Sequence, residues 1–157
     1  MKLSRYFSLE EFLVSQTAER HGIDMTPSQD VIDNLQTLVS TCLQPLRDAL
    51  GNVIYISSGY RPVEVNRLIG GSATSQHVYG NAADFSVVGM TPFEVCNAVV
   101  NMELPFDQII LEFPPNGWVH LGVSNILRAQ QLTAYRTGGK VRYINGINQH
   151  AIRDSVF

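Results

Sequence analysis

Three side chains in the second half of the sequence have the chemistry of a metal centre. His77 and Asp84 lie in Ser75-Gln76-His77-Val78-Tyr79-Gly80-Asn81-Ala82-Ala83-Asp84, and His120 lies in Trp118-Val119-His120-Leu121. Two imidazoles and a carboxylate are a borderline-soft donor set that suits zinc, with three protein ligands leaving a fourth position for water. Gly80 and the small Ala82 and Ala83 let the chain turn tightly between the first two. Spacing alone does not establish the site. A His and an Asp this far apart arise by chance, and on spacing alone the commoner reading of each, an ordinary hydrogen-bonded side chain, holds.

The composition bounds what such a site could serve. The chain has 157 residues, 45% of them hydrophobic and 16% charged. It is one domain's length, with enough apolar matter for a core and too little charge for disorder. Eleven basic against fourteen acidic side chains leave a net charge of −3, which argues against a protein devoted to the phosphate backbone of nucleic acids. No apolar run approaches the roughly 20 residues of a membrane span. Met1-Lys2-Leu3-Ser4-Arg5 lacks the apolar stretch of a signal peptide, so the expectation is a protein made in the cytoplasm. Cys42 and Cys96 are too few for a disulfide framework or a four-cysteine zinc site.

The elements that must position the three residues can be read from capping and periodicity. Capping boxes at Ser8-Leu9-Glu10-Glu11, Thr26-Pro27-Ser28-Gln29 and Thr91-Pro92-Phe93-Glu94 predict three helix starts. After the second, Val31, Leu35, Leu38, Cys42, Leu46 and Ala49 recur at helical spacing up to Gly51, with Pro45 expected to kink or tighten the last turn. Strands are expected at 53–57 and 83–88, and a hairpin at 107–113 and 118–123 around Pro114-Pro115-Asn116-Gly117. The order suggests an α+β domain, N-terminal helices packed on a small central antiparallel sheet. The last thirty or so residues, including Thr137-Gly138-Gly139-Lys140, are turn-rich and without an assigned element.

Taken together, Ser57-Ser58-Gly59-Tyr60-Arg61-Pro62, Asn66, Gly70-Gly71, Ser75-Gln76-His77 through Asp84, and Trp118-Val119-His120 resemble the signature of zinc peptidases that act on peptidoglycan. That family contains the D-Ala-D-Ala carboxypeptidases and dipeptidases and the L-alanyl-D-glutamate endopeptidases. Phe7-Ser8-Leu9-Glu10-Glu11, Pro45-Leu46-Arg47 and Pro105-Phe106-Asp107-Gln108 are similar to a subgroup common in phages and prophages. The resemblance runs from about residue 7 to 123. It implies a hedgehog/DD-peptidase-like fold in a single domain, with 124–157 as a C-terminal extension of unassigned structure. It also implies one zinc ion on His77, Asp84 and His120, and Arg61 facing a substrate carbonyl or carboxylate. Ser75 and Gln76 either bond the substrate or shape the loop. The implied partner is a peptidoglycan stem peptide, reached after phage lysis or as part of a virion. The rivals are a zinc-containing binding module without hydrolysis and a structural component of a phage tail.

In many relatives a catalytic glutamate stands three residues before the last histidine. Here that position is Gly117, and the nearest carboxylate is Glu112. If Pro115-Asn116-Gly117 forms a three-residue turn with a left-handed glycine, Glu112 falls directly opposite His120 and points to the same face. A four-residue turn would point it away. Glu112 is therefore the expected catalytic base, conditional on register. Elsewhere the plain readings hold: His21 ends a helix, His150 lies in the tail, and Cys42 and Cys96 are core residues. Trp118 packs at the sheet edge or lines the cleft. Asp107 either fixes the tautomer of a ligand histidine or is an ordinary strand-start carboxylate.

Overall fold

The computed structural model describes residues 1–151; the last six residues of the expected C-terminal extension lie outside them. Ser8 opens a short 3-10 turn, Leu9–Phe12, through the expected capping box with Glu11. Helix α1 (Gln16–His21) follows, closed by left-handed Gly22. Helix α2 (Gln29–Leu38) starts two residues later than expected, because Ser28 and not Thr26 accepts the orphan N–H of Val31. Thr26 is already committed, donating from both N–H and hydroxyl to Asp24 Oδ1 at 2.9 and 2.6 Å.

Pro45 acts upstream of itself. Its missing N–H and its ring cannot accommodate the preceding carbonyl ladder, and the chain opens into a π-helical turn over Val39–Leu43 before α3 (Gln44–Leu50) ends at left-handed Gly51. Strand β1 (Ile54–Ser58) leads into α4 (Val63–Leu68), a 3-10 turn (Gln76–Tyr79), β2 (Ala82–Val87) and α5 (Pro92–Asn101), which has the expected Thr91–Glu94 box. Strands β3 (Gln108–Glu112), β4 (Trp118–Gly122), β5 (Gln130–Thr137) and β6 (Lys140–Asn145) complete the chain.

The fold is α+β, but the sheet is neither small nor purely antiparallel. Six strands run in the order β1-β2-β4-β3-β5-β6, and β5 lies parallel to β3 from Gln108↔Gln130 to Glu112↔Ala134. The parallel pair arises because β4 ends, and β5 begins, beside Gln108, so the connecting loop passes beneath the start of β3. Asp107 pins that crossing: its N–H donates to the Gly122 carbonyl, its carbonyl accepts from Gln130 N–H, and its carboxylate accepts from Arg128 N–H. The turn-rich tail thus becomes a hairpin, closed through Gly138 and Gly139, both at positive φ, as a two-residue primed turn requires.

The two faces of the sheet differ. Ile54, Ile56, Ala83, Phe85, Val87, Ile109, Leu111, Val119 and Leu121 point to one side and form a continuous core with Phe7, Phe12, Leu35, Leu38, Leu43, Val95 and Val99 of the helical layer. Cys42 and Cys96 are buried in it. The alternate residues of β2, β3 and β4, among them Asp84, Glu112, Trp118 and His120, point to the other side and line a cleft there. No described helix is long and apolar enough to cross a membrane.

Candidate metal centre and cleft

This second face carries an open cleft of about 760 Å³, lined by Arg61, His77, Asp84, Glu112, Trp118 and His120 among others. Asp84 of β2 and His120 of β4 are directly paired across neighbouring strands, which places their side chains together on one face. His120 Nδ1 lies 3.0 Å from Asp84 Oδ1. His77 arrives from the 3-10 turn, where Ser75 Oγ accepts its backbone N–H at 3.3 Å and Gly80, at φ 74°, reverses the chain. Its Nε2 lies 3.3 Å from the same Asp84 oxygen. The three donor atoms fall within 4.8 Å of one another.

The site can be tested against a metal from its own hydrogen bonding. His77 Nδ1 lies 2.7 Å from the Gly59 carbonyl, an acceptor only, so Nδ1 carries the proton and Nε2 presents a lone pair. That Nε2 is buried without a hydrogen-bond partner among the described residues. Burial lowers the His77 pKa and keeps the ring neutral. Burial alone would raise the Asp84 carboxyl, yet the two imidazoles packed beside it favour its ionised form and hold it well below the usual range. An imidazole lone pair beside an ionised carboxylate is unsatisfied until a cation joins them. A tetrahedral zinc shell with bonds of about 2.0–2.1 Å sets donor atoms about 3.3 Å apart, close to the two spacings observed. The residues fit the ion.

Glu112 shares this face by a different register from the one expected. It pairs with Trp118, and Ile110 stands opposite His120, so Glu112 is diagonal to His120 and the shift of two residues preserves its face. The turn takes five residues, 113–117. Its left-handed residue is Phe113, at φ 54°, and not Gly117. Phe113 is held by a contact from outside the hairpin, its N–H donating to Ala134 of β5 at 2.9 Å. Its ring lies 5.4 Å from Trp118 and under Arg136. Gly117 is needed for space, since a Cβ there would lie 1.7 Å from the Glu112 carbonyl oxygen. Burial pushes the Glu112 carboxyl up to about 7, with Asp84 adding to the rise and His120 and Arg61 opposing it.

Arg61 stands on the turn after β1, its N–H donating to the His77 carbonyl at 3.0 Å. Its Nε is buried and has no hydrogen-bond partner among the described residues, and the residue lines the cleft. Burial lowers its pKa while Asp84 and Glu112 favour the cation. Ser75 and Gln76 also line the cleft, and both have partners in the protein. Gln76 Nε2 donates to Asp107 Oδ2 at 2.8 Å, and its Oε1 sits where a Cβ on Gly122 would be. Asp107 touches neither ligand histidine; its carboxylate takes two bonds from the Arg128 guanidinium as well. The tautomer of His77 is fixed by Gly59 instead. His21 ends α1, and His150 is exposed after the last strand.

Gly59 also explains why the Ser-Gly-Tyr-Arg segment tolerates no side chain there. A Cβ would lie 2.6 Å from the Phe12 carbonyl oxygen and 2.7 Å from its Cα, against backbone that Tyr60 N–H already holds at 2.8 Å. Gly59→Ala is expected to destabilise the fold by about 1–3 kcal/mol and, by displacing the carbonyl that orients His77, to weaken metal affinity about 10–100-fold. Chemical denaturation and a competitive metal titration measure the two effects separately.

The sequence did not point to the residues that line the far side of the cleft, among them Arg128, Leu132 and Tyr143. The alternation Leu132-x-Ala134 and Val141-x-Tyr143 around Thr137-Gly138-Gly139-Lys140 is the signal that marks the hairpin. Its place beside β3 depends on a parallel pairing that no local pattern reveals.

A neutral imidazole, an ionised carboxylate and a second imidazole converging at the floor of an open cleft, with a carboxyl titrating near neutrality beside them, define a metal-dependent hydrolase. The Peptidase M15 family model matches residues 5–122, and the chain belongs to that family. It is a metallopeptidase, as the motifs led one to expect, and peptidases of this family are zinc-dependent. No curated protein matches the sequence.

Proposed function

We propose that this peptidase hydrolyses an amide bond in the stem peptides of peptidoglycan, as a cell-wall endopeptidase or a D,D-carboxypeptidase, with one zinc ion held by His77, Asp84 and His120. The observation that carries the reading is the buried Nε2 of His77, without a hydrogen-bond partner among the described residues, beside Asp84 Oδ1 and His120 Nδ1, on a cleft that Glu112 and Arg61 also line. The motif resemblance supplies the substrate class. Phage or prophage lysis is the setting it suggests.

Zinc held there supplies Lewis-acid polarisation of the scissile carbonyl and lowers the pKa of water. The protein's own groups supply the rest. Glu112, as the carboxylate, takes a proton from the attacking water while the water oxygen bonds to the carbonyl carbon. It returns that proton to the leaving amine as the C–N bond breaks. A carboxyl near pH 7 suits both halves of that exchange. Arg61, on the cleft lining, offers its guanidinium to the carbonyl oxygen as negative charge develops, or to a substrate carboxylate. Gly59 keeps His77 in the tautomer that leaves Nε2 free.

Digestion of a soluble stem pentapeptide ending in D-Ala-D-Ala tests the reading. Free D-alanine marks a carboxypeptidase and internal fragments mark an endopeptidase. Cleavage confined to ordinary L-peptides would contradict the proposed substrate.

A further inference from the structure

The family match ends at residue 122, but the cleft does not. Leu132 of β5 and Val141 and Tyr143 of β6 form its far wall. Glu112 pairs with Ala134, and Ala134 pairs with Tyr143, so the three stand in one row across neighbouring strands and point to the same face. Ala134 contributes only a methyl group between them, which leaves space for a longer side chain to lean over it towards the Glu112 side of the cleft.

Tyr143 is 55% exposed although it lines the cleft, and its hydroxyl has no hydrogen-bond partner among the described residues. Phe113, Trp118 and Arg136 are satisfied by one another, whereas Tyr143, Val141 and Leu132 present apolar surface to the cleft, with the phenol unpartnered among the described residues. A tyrosine is well suited to such a wall: it is large, loses little rotamer freedom on binding and carries one hydrogen-bonding group at its tip.

We propose that the β5–β6 hairpin is the specificity wall of this cleft, with Tyr143 donating a hydrogen bond from its phenol to a carbonyl of the bound peptide while Leu132 and Val141 pack against an adjoining apolar side chain. The inference rests on the cleft's being the peptide-binding site. It adds that the segment outside the family match selects the peptide. Tyr143 is then a substrate-contacting residue and takes no part in proton transfer.

The test compares wild type, Tyr143→Phe and Tyr143→Ala as zinc-loaded full chains, with Tyr135→Phe, on the opposite face of the same hairpin, as the control. Muropeptides and a mixed library of L- and D-peptides are both digested, and products are read by mass spectrometry. Muropeptide turnover by the wild type reports on the proposed function, and variant-to-wild-type ratios on either substrate pool report on the wall. Tyr143→Phe is expected to raise KM about 3–10-fold, the loss of one neutral hydrogen bond, with kcat within about twofold. Tyr143→Ala is expected to raise KM further and to broaden the residues accepted beside the cleaved bond. Metal content and thermal midpoint should match wild type for Tyr143→Phe. Unchanged KM and an unchanged cleavage profile in both Tyr143 variants would overturn the proposal, as would a fall in kcat alone.

Discussion

Glu112→Gln is expected to lower kcat by about 10²–10⁴, the usual contribution of a positioned general base, while metal stoichiometry stays at the wild-type value. The substitution keeps the shape of the side chain and removes only its ability to take a proton. Its register supports the expectation, because Glu112 is diagonal to His120 on the same sheet face and lines the same cleft. A variant that retains activity would remove Glu112 from the mechanism; one that loses metal would make it a ligand or a support for one.

The same residue has a pH signature in the metal-free protein. Its carboxyl is raised from an ordinary 4.5 to about 7, chiefly by burial. The folded state therefore favours the protonated form, and that contribution to stability is complete below pH 4.5 and is lost as pH rises through about 7. Relative to Glu112→Gln, the metal-free wild type should lose about 3 kcal/mol of stability across that interval. Urea denaturation of both proteins at pH 4.5 and 8 measures the difference. Equal changes in the two would mean that Glu112 is not the group whose ionisation the fold resists. A bound cation opposes the rise, so activity should extend to lower pH than titration of the metal-free carboxyl alone would allow.

His77→Ala is expected to abolish both activity and tight metal binding. It removes one of three donors and the one whose unpartnered nitrogen is buried. Because His77 is only 2% exposed, its truncation also leaves a cavity, so Asp84→Asn serves as the shape-preserving counterpart. Added zinc at a hundred times Kd should stabilise the wild type by about 2.7 kcal/mol and shift its melting point. Neither variant should respond. A zinc-dependent shift of wild-type size in both would place the ion elsewhere.

The features legible in the sequence were those encoded locally. The Ser8–Glu11 and Thr91–Glu94 boxes, the Gly51 stop and the strands carrying Asp84 and His120 each depend on neighbours a few residues away. The motif brought together the same three residues that converge in space. Departures occur where a distant contact competes. Phe113, bound to Ala134 of β5, enlarges the hairpin turn from three residues to five and moves Glu112 by two positions; the side-chain period of two left its face unchanged. Asp107 looked equally able to orient a ligand histidine, but the crossover loop that delivers Arg128 claims its carboxylate. Tyr143 could not be placed at all, because its relation to Glu112 passes through a parallel strand pair separated by twenty-two residues in sequence.

Mass spectrometry of muropeptides released from purified peptidoglycan by the zinc-loaded protein, beside a chelated control, tests the central claim most directly. The account predicts new fragments that vanish with chelation and return with zinc, cut at one stem-peptide bond, and absent with Glu112→Gln. An unchanged digest from protein shown to carry zinc would contradict it.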